Sequence, residues 1–378
     1  MGDKQDLVLI RQAADQGDVA AQTLLGTMYA EGVGLPLDSE QAVAWYRKAA
    51  GQGHAVAQFN LGNMYNSGKG VARDYQQAVA WYRSAAEQGH ISAQYNLGFM
   101  IHKGRGVAQD DEQAAAWYRK AADLGHAKAQ SNLGNMYAKG EGVPQDNKQA
   151  ALWNRKAASQ GNATAQFNLG NMYHNGKGVA QDHHQAMVWY RKAAAQGVVE
   201  AQYNLGVMYD TGQGVPRDSR QAALWYSKAA DQGFAAAQLN LGNLCARGEG
   251  GQEDHEQAAL WYQKAADHGI ASAQFNLALA YLNGEGVCQD REEAHGWFRK
   301  AAIQGVAEAQ YNLAVMYAKG IGVPQDVVRA FAWYTLAAAQ GDRDAKEERD
   351  YAASKLTNAQ LSRALALAAE LQAERACH

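Results

Sequence analysis

The chain has only four prolines and three cysteines in 378 residues, and neither sign of charge dominates. Lys and Arg number 35 against 38 Asp and Glu, a net charge of −3. Cys245, Cys288 and Cys377 are too few for a disulfide framework, which fits a reducing compartment. The near-neutral balance argues against a generic binder of nucleic acid or of anionic membrane. No apolar run approaches the roughly 18 residues of a membrane span. Disorder would require low hydrophobicity and high net charge, whereas 47% of the residues are hydrophobic. The start, Met-Gly-Asp-Lys-Gln-Asp, shows no signal-peptide pattern, and its apolar run Leu7 to Ile10 is too short for a secretory core. The chain as written is therefore expected in the cytoplasm; a leader on a longer precursor would make it exported.

What is abundant is glycine, 39 residues in all, and a strict period. The nine tryptophans are Trp45, Trp81, Trp117, Trp153, Trp189, Trp225, Trp261, Trp297 and Trp333, always 36 apart. Asp38 to Asp326 and Gly53 to Gly341 keep the same step. A fixed period of this length marks stacked supersecondary units. The expected organisation is a half-unit at 1–18, nine units over 19–342, and closing helices at 343–378.

The unit from His54 to Gly89 shows the local logic. Ala57, Leu61, Met64 and Tyr65 follow helical spacing and predict a first helix, A. Gly68 and Gly70 break it, being free to take positive φ. Asp74 is a good N-cap, with Gln77 at the capping-box position. Ala78, Trp81, Tyr82, Ala85 and Ala86 then predict a second amphipathic helix, B. A helix of about 13 residues is about 20 Å long. Two such helices cannot bury both stripes alone, so the units must stack, small alanines permitting close approach and the tryptophan filling the space between layers. The fold class is all-α, an α-solenoid. At the ends, Asp3 to Gln16 reads as a lone helix B with Leu9 at the tryptophan position. Asp342 to Lys355 reads as a charged helix A. Thr357 and Gln360 then open a last helix, Leu361 to Glu374, striped by Leu361, Leu365 and Leu367 or Ala368.

These residues resemble a known family. The run Ala57-Gln58-Phe59-Asn60-Leu61-Gly62-Asn63-Met64-Tyr65, followed by Gly68-x-Gly70-Val71, Asp74, Ala78, Trp81-Tyr82 and Ala85-Ala86-x-x-Gly89, is similar to the Sel-one-like repeat, a relative of the tetratricopeptide repeat. The resemblance covers about residues 1–356. It implies a right-handed superhelix of antiparallel helix pairs, and adaptors or scaffolds that bind proteins or peptides on a concave surface. Some bacterial members act in the envelope or in host interaction. One subgroup is cysteine-rich, and this chain lacks those cysteines.

On a helical wheel of 100° per residue, Ala57, Leu61, Met64 and Tyr65 share one side of helix A; Phe59, Asn60 and Asn63 lie on the other. The resemblance makes that other side the lining of the concave groove. Down the stack it carries an aromatic register with Phe59, Tyr95, Phe167 and Tyr203. Beside it run Asn60, Asn96, Asn132, Asn168 and Asn204, and then Asn63, Asn135 and Asn171. Asn both donates and accepts, which suits the backbone of an extended peptide and equally suits contacts between helices. The aromatic register fits partial core or ligand contact. At about 10 Å per step the nine A helices span roughly 80 Å, room for an extended partner of some 20 residues at about 3.3 Å each. Phe99, His102 and His174 depart from the register and would mark a chosen ligand.

Catalytic chemistry is not legible. Gly62-x5-Gly68-Lys69 resembles a phosphate loop only superficially: the glycine spacing is one too long, and Gly70 stands where Ser or Thr should hold the metal. No G-x-S-x-G, S-x-x-K or H-E-x-x-H pattern occurs. His54, His90 and His126 form a ladder at helix starts, too far apart to share an ion directly, and read as packing. His183-His184 is an isolated pair. Cys245 replaces the repeat tyrosine and should be buried; Cys288 replaces a loop residue. The expectation is a monomeric, non-enzymatic scaffold with a protein or peptide partner, no metal or cofactor, no nucleic acid and no membrane insertion. The competing reading is an exported binder of a surface protein or glycan.

Overall fold

The computed structural model describes residues 2–376, with side chains from 6 to 374. Cys377 lies outside the described residues. These form 21 α-helices and no strand, arranged as two compact units, Met1–Gln196 and Gly197–His378. Within each unit the helices alternate A and B, each packed against its sequence neighbours, so the all-α solenoid of 36-residue repeats is present as the periodicity requires.

Repeat 2 shows why the boundaries fall where they do. Helix A spans Ala55–Ser67 and helix B spans Tyr75–Glu87, 13 residues each. Helix A stops at Gly68, whose φ of 75° is left-handed, and the Gly68 and Lys69 amides both donate to the Met64 carbonyl. Two residues on, Gly70 lies against the start of the preceding helix B; a Cβ there would sit 2.0 Å from the Ser39 carbonyl oxygen. The N-cap reading of the aspartates holds: Asp74 accepts from the Gln76 and Gln77 amides at 2.9 and 3.0 Å. The second half of the capping box is absent, because the Asp74 amide donates instead to Tyr65 O at 3.0 Å, stitching helix B to helix A.

The core is built from Ala57, Leu61, Ala78, Tyr82, Ala85 and Ala86 and their copies across the nine units, all buried except Ala21 and Ala338 at the two ends. The tyrosine, more than the tryptophan, fills the interior. Tyr82, Tyr118, Tyr190 and Tyr226 are each 1% exposed, whereas Trp81, Trp117, Trp189, Trp225 and Trp261 are half-buried. The tyrosine ring lies on a helix-A glycine: a Cβ at Gly62 would meet the Tyr82 ring at 2.7 Å. Seven of the nine tryptophans, all but Trp81 and Trp333, are covered by the lysine three residues on, as with Lys120 Nζ at 3.8 Å from the Trp117 ring centroid.

A buried glutamine ladder, unread in the sequence, joins consecutive repeats. Gln130 is 4% exposed; its amide donates to Ala122 O at 2.9 Å and its carbonyl accepts from Gln160 Nε2 at 2.8 Å. Gln58 and Gln310 make the same two bonds in their repeats.

The ends depart from expectation in detail. The first helix, Gly2–Asp15, packs through Leu7, Ile10 and Ala14, while Leu9 is exposed rather than tryptophan-like. In the last helix, Asn358–Ala376, Leu365 points to solvent; Leu361, Ala364, Leu367, Ala368 and Leu371 form the covered side. Its capping box is complete: Gln360 N donates to Thr357 Oγ at 3.3 Å and Thr357 N to Gln360 Oε1 at 3.0 Å.

Candidate functional site

All twelve candidate residues are half-buried. Phe59, Asn60, Asn63, Tyr95, Asn96, Asn132, Asn135, Phe167, Asn168 and Asn171 lie on A helices of the first unit; Tyr203 and Asn204 lie in the second. Their side chains also join neighbouring helices. Phe59 stacks on His90, with centroids 4.5 Å apart, and Tyr95 stacks on His126 at 4.6 Å. Tyr203 meets Phe234, which takes the same position as those histidines, at 5.0 Å. The histidine ladder thus does pack: His90 and His126 cap their helices, each Nδ1 accepting from a backbone amide at 3.2 Å. Burial holds both rings below the ordinary histidine range, with Lys128 adding to the effect at His126.

The amides bond to helix B of their own repeat and to helix A of the next. Asn63 Oδ1 accepts from the Tyr82 hydroxyl at 2.7 Å and from Asn96 Nδ2 at 3.4 Å. Asn168 Nδ2 donates to Asn135 Oδ1 at 2.7 Å, and the Tyr190 hydroxyl to Asn171 Oδ1 at 2.6 Å. Burial pushes the Tyr82 hydroxyl up to about 12, partly offset by Asn96. These asparagines therefore do fix helix contacts.

Between repeats 3 and 4 this face opens into a recess of about 220 Å³ lined by Phe99, His102, Lys103, Tyr118, Asn132, Asn135, Met136, Lys139 and Glu141. His102 Nδ1 is 2.7 Å from Asp111 Oδ1, and Lys139 pairs with Glu141 at 3.4 Å. Phe99 and His102 stand out in the sequence as departures from the repeat. Tyr118, Met136 and the two lysines went unread; Phe in place of Asn at position 99 and His at position 102 are the signals the sequence offers.

The remaining chemistry-bearing residues do not converge. His174 and His183 lie 5.0 Å apart, ring to ring, and His184 is exposed. Cys245 is half-buried rather than buried, as are Tyr65, Tyr173 and Tyr281 at the same register; burial, and secondarily Asp254, raise its thiol. Cys288 is exposed. Among the described residues no group of three or more His, Cys, Asp or Glu is placed to hold a metal ion, and no helix is long and apolar enough to cross a membrane.

The Sel1 repeat profile matches nine contiguous segments: 19–54, 55–90, 91–126, 127–162, 163–198, 199–234, 235–270, 271–306 and 307–342. A protective antigen present in uropathogenic Escherichia coli strains, displaying an SLR fold, is 37% identical, with a TM-score of 0.65 over 97% of this chain and 86% of that one. A Sel1 repeat protein from Oxalobacter formigenes is 32% identical, with a TM-score of 0.58 over 91% and 89% of the two chains. No curated protein sequence matches the chain. With the profile running unbroken from 19 to 342, and helix pairs repeating at the same step, the chain belongs to the Sel1 repeat family.

Proposed function

We propose that the chain is a non-enzymatic scaffold that holds an extended peptide or protein segment along its helix-A face. Sel1 repeat proteins are generally protein-interaction scaffolds. The observation that carries the reading here is the run of half-buried aromatic and amide side chains on successive A helices, from Phe59 to Asn171 in the first unit and at Tyr203 and Asn204 in the second. Those side chains are held in place by the His90, His126 and Tyr82 contacts, so little rotamer freedom is lost when a partner lands on them.

The test is site-specific photocrosslinking in cells. A benzophenone amino acid replaces Val56, exposed on helix A, or Leu152, exposed on helix B. Adducts from Val56 that disappear when Phe59 and Tyr95 are changed to Ser support the scaffold reading. Adducts from Leu152 alone would place recognition on the opposite helices and overturn it. A second reading, an exported binder of a surface protein or glycan, is favoured by the likeness to a protective antigen. Recovery of the native full-length protein in the periplasmic or secreted fraction distinguishes it.

A further inference from the structure

In repeat 2 two donors, the Tyr82 hydroxyl and the Asn96 amide, converge on one acceptor, Asn63 Oδ1. Repeat 7 has the same arrangement: the Tyr262 hydroxyl and Asn276 Nδ2 each lie 3.0 Å from Asn243 Oδ1. Repeat 3 keeps both donors, as Tyr118 and Asn132, but Phe99 stands where the acceptor should be. Tyr118 is 1% exposed and its hydroxyl has no hydrogen-bond partner. Asn132 lies beside it, near enough to offset part of the rise that burial imposes on the hydroxyl, without meeting it in hydrogen-bonding geometry.

An unmatched buried hydroxyl is costly, and repeats 8 and 6, which also lose the acceptor, avoid it. Leu279 is matched by Phe298, which has no hydroxyl. Where Val207 replaces the Asn, the Tyr226 hydroxyl turns to Asp210 Oδ2 at 3.4 Å. At the register where repeat 2, with Asn63 in place, has a recess of about 200 Å³, repeat 3 does neither and has one of about 220 Å³ onto which the unmatched hydroxyl faces. That is about seven waters at ~30 Å³ each, the size for one side chain rather than a cofactor. Three cations surround it, Lys103 and Lys139 in its lining and the Arg105 guanidinium 5.6 Å from the Phe99 ring centroid, against two acids: Glu141, paired with Lys139, and Asp111, held by His102.

We propose that this recess binds a carboxylate carried by the extended partner, the Tyr118 hydroxyl and the Asn132 amide donating to its oxygens while Lys103 and Lys139 balance its charge. Phe99 and Met136 pack against the methylenes that carry it. The proposal rests on the scaffold reading, because the partner's backbone must run along the helix-A face to deliver the group.

The full-length protein labelled with ¹³C at its methionine methyls reports directly, since Met136 lines the recess. The probes are N-acetyl-glutamic acid α-amide, whose carboxylate is on the side chain; N-acetyl-glutamine, whose carboxylate is terminal; and N-acetyl-glutamine α-amide, which has none. The Met136 methyl is expected to shift saturably with a carboxylate probe at millimolar concentrations and to ignore the neutral one. The stronger of the two carboxylate probes identifies the source as side chain or chain end. F99N, which restores the internal acceptor, and Y118F, which removes a donor, should each weaken binding about tenfold or more. Both residues already occur at those registers, as Asn63 and Phe298, so both variants should fold. An equal response to the neutral probe, no response at Met136, or unchanged affinity in both variants would overturn the proposal. Failure of the scaffold reading shows separately, as crosslinks from Leu152 alone while Met136 still answers the carboxylate.

Discussion

Replacing Gln130 by Met tests whether the glutamine ladder couples one repeat to the next. The substitution keeps an unbranched side chain of similar length and removes two hydrogen bonds, to Ala122 O at 2.9 Å and from Gln160 Nε2 at 2.8 Å. Each is worth about 0.5–1.5 kcal/mol net, so the expected loss is about 1–3 kcal/mol. The unsatisfied-group penalty stays small because Ala122 O still accepts from the Gly125 amide at 3.0 Å and Gln160 is exposed and can turn to water. Solenoids lose stability repeat by repeat, so a single melting temperature averages the effect away. Hydrogen exchange read by mass spectrometry localises it: amides in Asp111–Asp123 and Ala127–Lys139 should lose protection corresponding to that free energy. Gln160→Met should cost about 1 kcal/mol, and the double variant little more than Gln130→Met alone, because the two share one bond. A loss at Gln130 below about 0.5 kcal/mol, or full additivity, would refute the ladder as a coupling device.

The two kinds of tryptophan should separate: Trp153, 4% exposed, should cost about 3–5 kcal/mol on change to Ala, and the half-buried Trp189 measurably less in the same urea titration. Gly170→Ala places a methyl 2.6 Å from the Tyr190 ring, an overpacking expected to cost about 1–3 kcal/mol; unchanged thermal stability would show that the ring moves freely. The depressed histidines make stability pH-dependent. Their folded pKa values lie below the unfolded 6.5, so the unfolded chain takes up protons first. Stability is then full above about 6.5 and falls as pH drops from there through the folded values. His126→Asn should flatten that fall while keeping the cap, as Asn162 does at 2.9 Å to the Ala165 amide; an unaltered pH profile in calorimetry would argue against the burial effect.

The sequence by itself determined the period, the helix limits and the caps, because each depends on groups within a few residues of one another. Gly68 ends a helix through its own φ, and Asp74 caps one through amides two and three residues on. It also placed Phe59, Asn60 and Asn63 on one side of helix A, since a 100° rotation per residue is a local fact. Tertiary structure decided what those side chains meet. The Gln130–Gln160 and Asn135–Asn168 bonds span 30 and 33 residues, and only the packing of helix A on helix B within a repeat, for the first, and of one repeat on the next, for the second, brings such atoms within 3 Å. Helix pairing within each repeat put tyrosine rather than tryptophan deepest, because the ring lies on the bare backbone of a helix-A glycine. It also turned one substitution in a register, Phe99 for Asn, into an unanswered hydroxyl, that of Tyr118, at the wall of a recess. A helical wheel shows the aromatic at that position; it cannot show that Tyr118, from helix B, and Asn132, from the next repeat, arrive there without an acceptor.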